Sequence, residues 1–224
     1  GLDSNHSGLK FAQIRKELEN IDNLHFSNSD IGKSPFSDNT FDLIILNGVL
    51  EWTPLAYPEL KPVEAQKLIL EELNRVLKTN GQIFIAIENR YGFRYLLGKA
   101  DEHTSMRFVT ILPRFLANLY FKISRKKEYR VYTHSISEMK NLLLECDYID
   151  LEFFATLPDY RFYKYIISLQ DNQNSYKQLL TMLHNKSLFS KRYKLYYYLF
   201  KGFSFCGNWF LKKYTNAFIV LAKK

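Results

Sequence analysis

Two apolar runs, Leu43–Leu46 and Ile83–Ile87, joined through one long amphipathic segment, constrain most tightly what this chain can fold into. Both runs are rich in β-branched residues and neither alternates inward and outward. Strands covered on both faces look like this, and they belong to parallel sheets packed between helices. The segment between them suits a crossover helix. Pro62 fits its first turn, Val63, Leu68, Leu70, Leu73 and Leu77 supply an apolar stripe, and Asn80-Gly81 supplies a stop. Strand, helix, strand in this order is a βαβ unit of a doubly wound α/β sheet. Such sheets bind ligands beyond the carboxyl ends of their strands. The polar residues at those ends are Asp30, Asn47-Gly48, Glu51-Trp52 and Glu88-Asn89-Arg90.

At 224 residues and 46% hydrophobic, the chain is long enough for one domain with a sizeable core. Its first twenty residues hold no apolar stretch of the kind a secretory leader needs. Cys146 and Cys206 stand apart, with no C-x-x-C and no neighbouring histidine. They read as buried thiols of a cytoplasmic protein, and no metal-ligand spacing is visible.

Three phrases in order carry a resemblance: Ser29-Asp30, then Pro35-Phe36-Ser37-Asp38-Asn39-Thr40-Phe41-Asp42-Leu43-Ile44, then Leu73-Asn74-Arg75-Val76-Leu77-Lys78-Thr79-Asn80-Gly81. Together they resemble the class I S-adenosylmethionine-dependent methyltransferases, with good specificity over residues 1–90 and more weakly to about 170. The resemblance implies a Rossmann-like α/β fold, a mostly parallel sheet with an antiparallel closing strand, and S-adenosylmethionine as cofactor. Asp3, in Gly1-Leu2-Asp3-Ser4, would accept from the ribose hydroxyls, with Ser4 beside it. Asp30 would accept from the adenine amino group while Ile31 packs on the ring, and Asn47-Gly48 would lie near the sulfonium. On the residues alone, Asp3 or Ser4 can equally cap a helix over about 7–18, and Asp30 can start an Asx-turn. The first strand and glycine-rich loop of the resembled family would precede Gly1, and the nine glycines form no G-x-G cluster. The expectation is therefore an N-terminally truncated chain that binds cofactor weakly or not at all.

The run Glu88-Asn89-Arg90-Tyr91-Gly92 through Glu102-His103-Thr104 resembles, more faintly, bacterial methyltransferases associated with cell-surface glycans. A strand end dense in Glu, Asn, Arg and His is what a polar acceptor pocket needs. Glu51, Glu88 and His103 are the candidate catalytic residues: the acceptor would lie over them, and the imidazole could take a hydroxyl proton. Glu51 can also be a surface carboxylate, His103 a loop-orienting residue, and Trp52 a stacking face or a lid. Farther on, the pattern predicts a helix over 112–124 that starts at Pro113 and runs into Arg125-Lys126-Lys127. It predicts a second helix over 135–146, with Ser135 and Glu138 at capping-box spacing, and strands over 148–156 and 165–169.

From Asn172 onward there are ten Lys/Arg and no Asp/Glu, so this tail carries the excess behind the net charge of +8. It is also aromatic, and the pattern predicts helices over 174–185 and 191–213 before a closing strand at 217–222. The organisation expected is a core over 1–170, a basic aromatic helical insertion over 171–214, and a closing strand over 215–224. A basic aromatic helix suits an anionic membrane surface at 186–213, single-stranded nucleic acid less well, or simple packing with solvated lysines. The reading is a methyltransferase, cytoplasmic or peripheral at the inner membrane face, acting on a small-molecule or glycan/lipid-linked acceptor. The competing class is a non-catalytic methyltransferase-like protein that binds RNA or a membrane through its tail. A nicotinamide-dependent enzyme fits the closing strand less well.

Overall fold

The crossover unit forms, with an adjustment at each end. A computed structural model describes residues 1–170, 174–187 and 191–224. Strand β3 (Phe41–Asn47) pairs in parallel with β4 (Leu77–Glu88), in register from Leu43↔Gln82 to Asn47↔Ala86. Helix α2 (Pro62–Val76) crosses between them and buries Ala65, Gln66, Ile69, Leu70, Leu73 and Val76. Val63, expected in the stripe, is instead 42% exposed. The helix stops at Val76, short of Asn80-Gly81, because its last carbonyls find other donors. Asn39 N and Thr40 N bond Arg75 O and Val76 O, and Lys224 Nζ lies 2.8 Å from Leu77 O. A cation on the C-terminal carbonyls satisfies groups that the helix leaves open. Asn80 then takes φ 63° inside β4, a left-handed turn that asparagine tolerates.

The five-stranded sheet has the order β3-β4-β7-β5-β6. Strands β3, β4 and β5 (Ile149–Leu157) run in one direction. Strand β7 (Ala217–Lys223) lies antiparallel between β4 and β5, where the resemblance puts a closing strand, and β6 (Tyr165–Ser168) pairs antiparallel on β5. The expectation that β3 is covered on both faces is corrected: Leu43 and Ile45 are 50% and 62% exposed. An all-apolar run does not reveal whether both faces find cover: Ile44 and Leu46 pack on the core, while the face with Leu43 and Ile45 stays open. In β4 the expectation holds, with Ile83, Ile85, Ala86 and Ile87 all buried.

Ahead of this sheet, β1 (Leu2–Asp3) and β2 (Ser27–Asn28) form a separate parallel pair around α1 (His6–Leu18). The α1 cap is Asn5, whose Oδ1 accepts from Gly8 N at 3.0 Å, and not Asp3 or Ser4. After β4 come α3 (Phe93–Leu96), α4 (Arg114–Arg125) and α5 (Ile136–Glu145), the last closed by the expected Ser135/Glu138 capping box. The tail forms α6 (Asn174–Ser187), α7 (Lys191–Gly202) and α8 (Gly207–Tyr214). One helix over 191–213 was expected; the chain breaks it with a 3₁₀ turn at Ser204–Cys206 and Gly207 at φ 52°. Phe200, Phe210 and Leu211 from these helices enter the main core beside Phe218, Val220 and Ile87. Cys146 is buried as expected, whereas Cys206 is only half-buried. Residues 188–190, part of the expected membrane-contacting stretch, lie outside the described residues.

Candidate active site

Three side chains from three segments converge where β3 and β4 end. Leaving β3, the chain turns at Gly48 (φ 67°) and is pinned at Leu50, whose carbonyl accepts from Gln66 Nε2 and Thr53 Oγ1. Gln66 is itself held by Tyr132 O and by His134 Nε2, at 2.8 and 2.7 Å. This buried polar lattice fixes Glu51, the residue after Leu50. Glu88 is the last residue of β4, and Asn89 behind it is tied to Asn216, Lys213 and Thr215 carbonyls. His103 comes from the loop after α3, where buried Asp101 accepts from Thr104 N and Thr104 Oγ1. Donor atoms of Glu51, Glu88 and His103 all lie within 4.8 Å of one another. His103 Nε2 is 3.3 Å from Glu88 Oε2, and Trp52 meets the imidazole edge-on at 4.7 Å between centroids. All three expected catalytic residues are thus brought together, and their spacing would also admit a cation, which the sequence pattern did not suggest.

The cluster is short of hydrogen-bond donors. Glu51 and Glu88 are 0% exposed, and neither oxygen of Glu51 nor Oε1 of Glu88 has a hydrogen-bond partner. Asp101 Oδ1 is also without one. Among the described residues, every buried carboxylate oxygen in that condition belongs to these three residues. Burial, and then the charge of Glu88, push the Glu51 carboxyl up to about 7. Burial lowers the His103 pKa, but the bond to Glu88 and its charge outweigh this and raise it. Arg94 supplies the nearest fixed cation. Its Nη2 is 3.9 Å from Glu88 Oε1, while Nη1 reaches Asp159 Oδ2 at 2.9 Å and Glu102 Oε1 at 3.3 Å. Arg161 bonds the same two acids, and against the cost of burial it holds Asp159 down to about 2. Arg94, Lys99, Glu102, Asp159, Arg161 and Phe162 line a cavity of about 360 Å³ next to the cluster.

Sequence reasoning missed Arg94, Asp159, Tyr160 and Arg161. The Pro158-Asp159-Tyr160-Arg161 phrase reads as a turn, and its density of charge and aromatic surface was the available signal. Tyr160 also revises the role of Gly48. A Cβ on Gly48 would sit 2.3 Å from Tyr160 Oη, so what the glycine admits so closely is this hydroxyl.

On the cofactor side, Asp3 and Asp30 follow the ends of adjacent parallel strands, with Asp3 paired to Asn28. Asp3 Oδ1 accepts from Asn5 N at 2.8 Å. Asp30 Oδ1 accepts from Gly32 N and from the Tyr57 hydroxyl, which leaves Oδ2 outside both bonds. Two oriented carboxylates side by side suit the ribose hydroxyls and adenine amino group, so the residues present fit the adenosine end of the implied cofactor. Ser4 and Asn47 are exposed, and half-buried Ile31 packs against the core.

Residues 1–106 match a family described as a methyltransferase domain. An uncharacterised protein of Haemophilus influenzae is 33% identical over 82 residues, which is 36% of this chain and 30% of that protein. The chain thus matches less than a third of the length of this curated relative. Among solved structures, a methyltransferase dependent on S-adenosylmethionine from Thermotoga maritima superposes with TM-score 0.52 at 12% identity, over all of this chain and 72% of the other. Another from Methanosarcina mazei gives 0.51 at 14%, over all of this chain and 80% of the other. The [4+2]-cyclase SpnF also gives 0.51 at 14%, over all of this chain and 64% of its own, so the fold hosts more than one chemistry. The chain has the class I fold of the S-adenosylmethionine-dependent methyltransferases, and its first 106 residues are those that the methyltransferase-domain family recognises.

Proposed function

We propose that the protein transfers a methyl group from S-adenosylmethionine to a hydroxyl-rich acceptor, a glycan or a lipid-linked glycan. The observation behind this reading is the set of buried, unpartnered carboxylate oxygens on Glu51 and Glu88 beside His103. Buried acceptors without donors are costly, and a sugar brings several O–H donors at once. The bound cofactor supplies an electrophilic methyl on a sulfonium. The protein's part is alignment and proton handling. Asp3 and Asp30 hold the adenosine end. Glu88 orients His103, and Trp52 braces the imidazole. Glu51, with a carboxyl near 7 and both oxygens open, is the group that takes the proton of the acceptor hydroxyl.

The test is titration calorimetry of S-adenosylhomocysteine into the product of the full-length gene, beside its Asp30→Ala variant. Saturable binding that the variant weakens by about tenfold or more, the worth of a hydrogen bond to a charged group, supports the assignment. A folded wild-type protein that binds nothing overturns it.

A further inference from the structure

Helix α4 turns its apolar side outward. At about 100° per residue, Phe115, Leu116, Leu119, Tyr120 and Ile123 fall within about 140° of arc. Phe115, Leu119 and Ile123 are 72%, 54% and 73% exposed. The opposite side holds Ala117, the only buried residue of the helix, and Phe121, which packs on Tyr129. An amphipathic helix of a globular protein normally buries its apolar face; this one presents it. Lys122 borders that face on one side, and Arg125, the C-cap Lys126 and Lys127 form the basic C-terminal end. Residues 114–127 contain five Lys/Arg and no acid. The first acid beyond them, Glu128, is paired with Arg130 at 3.4 Å.

This helix is tied to the candidate active site. Arg125 Nη2 donates to Thr104 O at 3.2 Å, one residue from His103. Exposed Leu96, Leu97 and Phe108 lie at the two ends of the same His103-bearing loop, which adds apolar surface next to that attachment. The tail also exposes apolar side chains, Phe205 at 83% and Trp209 at 56%, but it commits Phe200, Phe210 and Leu211 to the core, whereas α4 commits only Ala117 and Phe121.

We infer that α4 lies in the plane of an anionic bilayer, with Phe115, Leu119 and Ile123 among the acyl chains and Lys122, Lys126 and Lys127 at the headgroups. Charge complementarity selects this occupant. A helix with apolar side chains on one arc and bordering lysines matches the interface of acyl chains and anionic headgroups. At 12 residues α4 is about 18 Å long, sufficient to lie on a bilayer and too short to cross one. No helix among the described residues is long and apolar enough to span a membrane. Docked in this way, the helix brings the His103 loop to the headgroup layer. The inference rests on the proposed function in one respect, that the acceptor is then lipid-borne.

The test is flotation of the full-length gene product with phosphatidylglycerol/phosphatidylcholine vesicles and with phosphatidylcholine vesicles, in the absence of cofactor. Because vesicle binding needs no methyl transfer, its failure and that of the proposed activity are separable. The expected result is binding to the anionic vesicles that falls steeply with salt. Lys126→Glu should weaken it by about fivefold or more, the worth of one basic residue near an anionic surface. The Phe115→Ser/Ile123→Ser double variant should lose it while keeping the wild-type circular dichroism, since both residues are exposed. Equal binding by wild type and double variant overturns the inference. So does loss of binding only in Phe205→Ser/Trp209→Ser, which would place the contact on the tail. Wild type that ignores vesicles and self-associates through Phe115 would assign the face to a second copy and overturn it too.

Discussion

Glu51→Gln should stabilise the protein, and by an amount that depends on pH. The carboxyl titrates at about 7 in the folded chain against an ordinary 4.5. Its folded pKa is raised, so the native state holds a proton that the unfolded chain releases above 4.5. Stability due to this group is therefore fully present below 4.5 and is lost as pH rises to about 7, where the loss levels off. At 1.36 kcal/mol per pH unit, the loss over that interval is roughly 3 kcal/mol. Glutamine is close in shape to the protonated carboxyl and does not ionise. The variant should match wild type near pH 4.5 and exceed it by roughly 3 kcal/mol at pH 8. For a chain of this size that is about 6–12 °C in the thermal midpoint. Urea unfolding by circular dichroism at the two pH values measures it, with wild type and variant compared at each. A variant no more stable than wild type at pH 8 would mean that Glu51 is solvated or compensated in the native state, and the burial argument would fail.

Three further outcomes follow from the same geometry. Since Glu51 must be ionised to accept a proton, kcat/KM should rise with pH through about 7 and level off, and Glu51→Gln should remove that limb and cost about 10²-fold or more; an unchanged profile would take the base away from Glu51. Gly48→Ala meets both a left-handed backbone and Tyr160 Oη at 2.3 Å, so it should destabilise by about 2–3 kcal/mol, and by measurably less in a Tyr160→Phe background; equal costs in the two backgrounds would show that the hydroxyl is not the obstacle. If the cluster works as a proton acceptor, methyl transfer should survive dialysis against a chelator. Loss of activity that Mn²⁺ or Zn²⁺ restores would reassign Glu51, Glu88 and His103 to a metal, which their spacing admits.

What could be read in the sequence was local periodicity and the order of phrases. Pro62, the Ser135/Glu138 pair and the apolar run 83–87 each signal their element within a few residues, and each element formed close to its place. The proximity of Glu51 and Glu88 was legible for a related reason, since residues at strand ends in an α/β sheet face one ligand region, while His103 stood out only as a histidine beside acids in a loop. Non-local partners were not legible. The carbonyls at the end of α2 are met by Asn39, Thr40 and Lys224, the last 147 residues away from Leu77, and no window on the helix contains them. Arg94 joins the site through Asp159, and Tyr160 through a glycine more than a hundred residues earlier. The exposure of β3 was hidden as well, because an apolar run reports composition and not which faces find a neighbour.

The distribution of satisfied and unsatisfied polar groups locates function more firmly than any one residue does. Away from the cluster, two buried or half-buried arginines are well supplied. Arg90 bonds Thr110 O, Leu112 O and Glu138, and Arg130 bonds the carbonyls of Pro54, Tyr57 and Leu60. Those networks hold the loops around the sheet and leave their charges compensated, which is what a buried ion requires to be tolerable. Just beyond β3 and at the end of β4 the same chain buries Glu51 and Glu88 with three oxygens unpartnered, and Asp101, two residues from His103, adds a fourth; Arg94 and His103 are the cations close to Glu88. The framework supplies Arg90 and Arg130 fully with acceptors, yet leaves these carboxylate oxygens without donors. Under the proposed function, stability lost at Glu51 would be recovered when an acceptor's hydroxyls enter, because each O–H placed against a dry carboxylate oxygen makes a bond that water was not making. Selectivity follows: an acceptor lacking those hydroxyls would leave the oxygens unpaired and should be rejected far more strongly than one differing by a methylene.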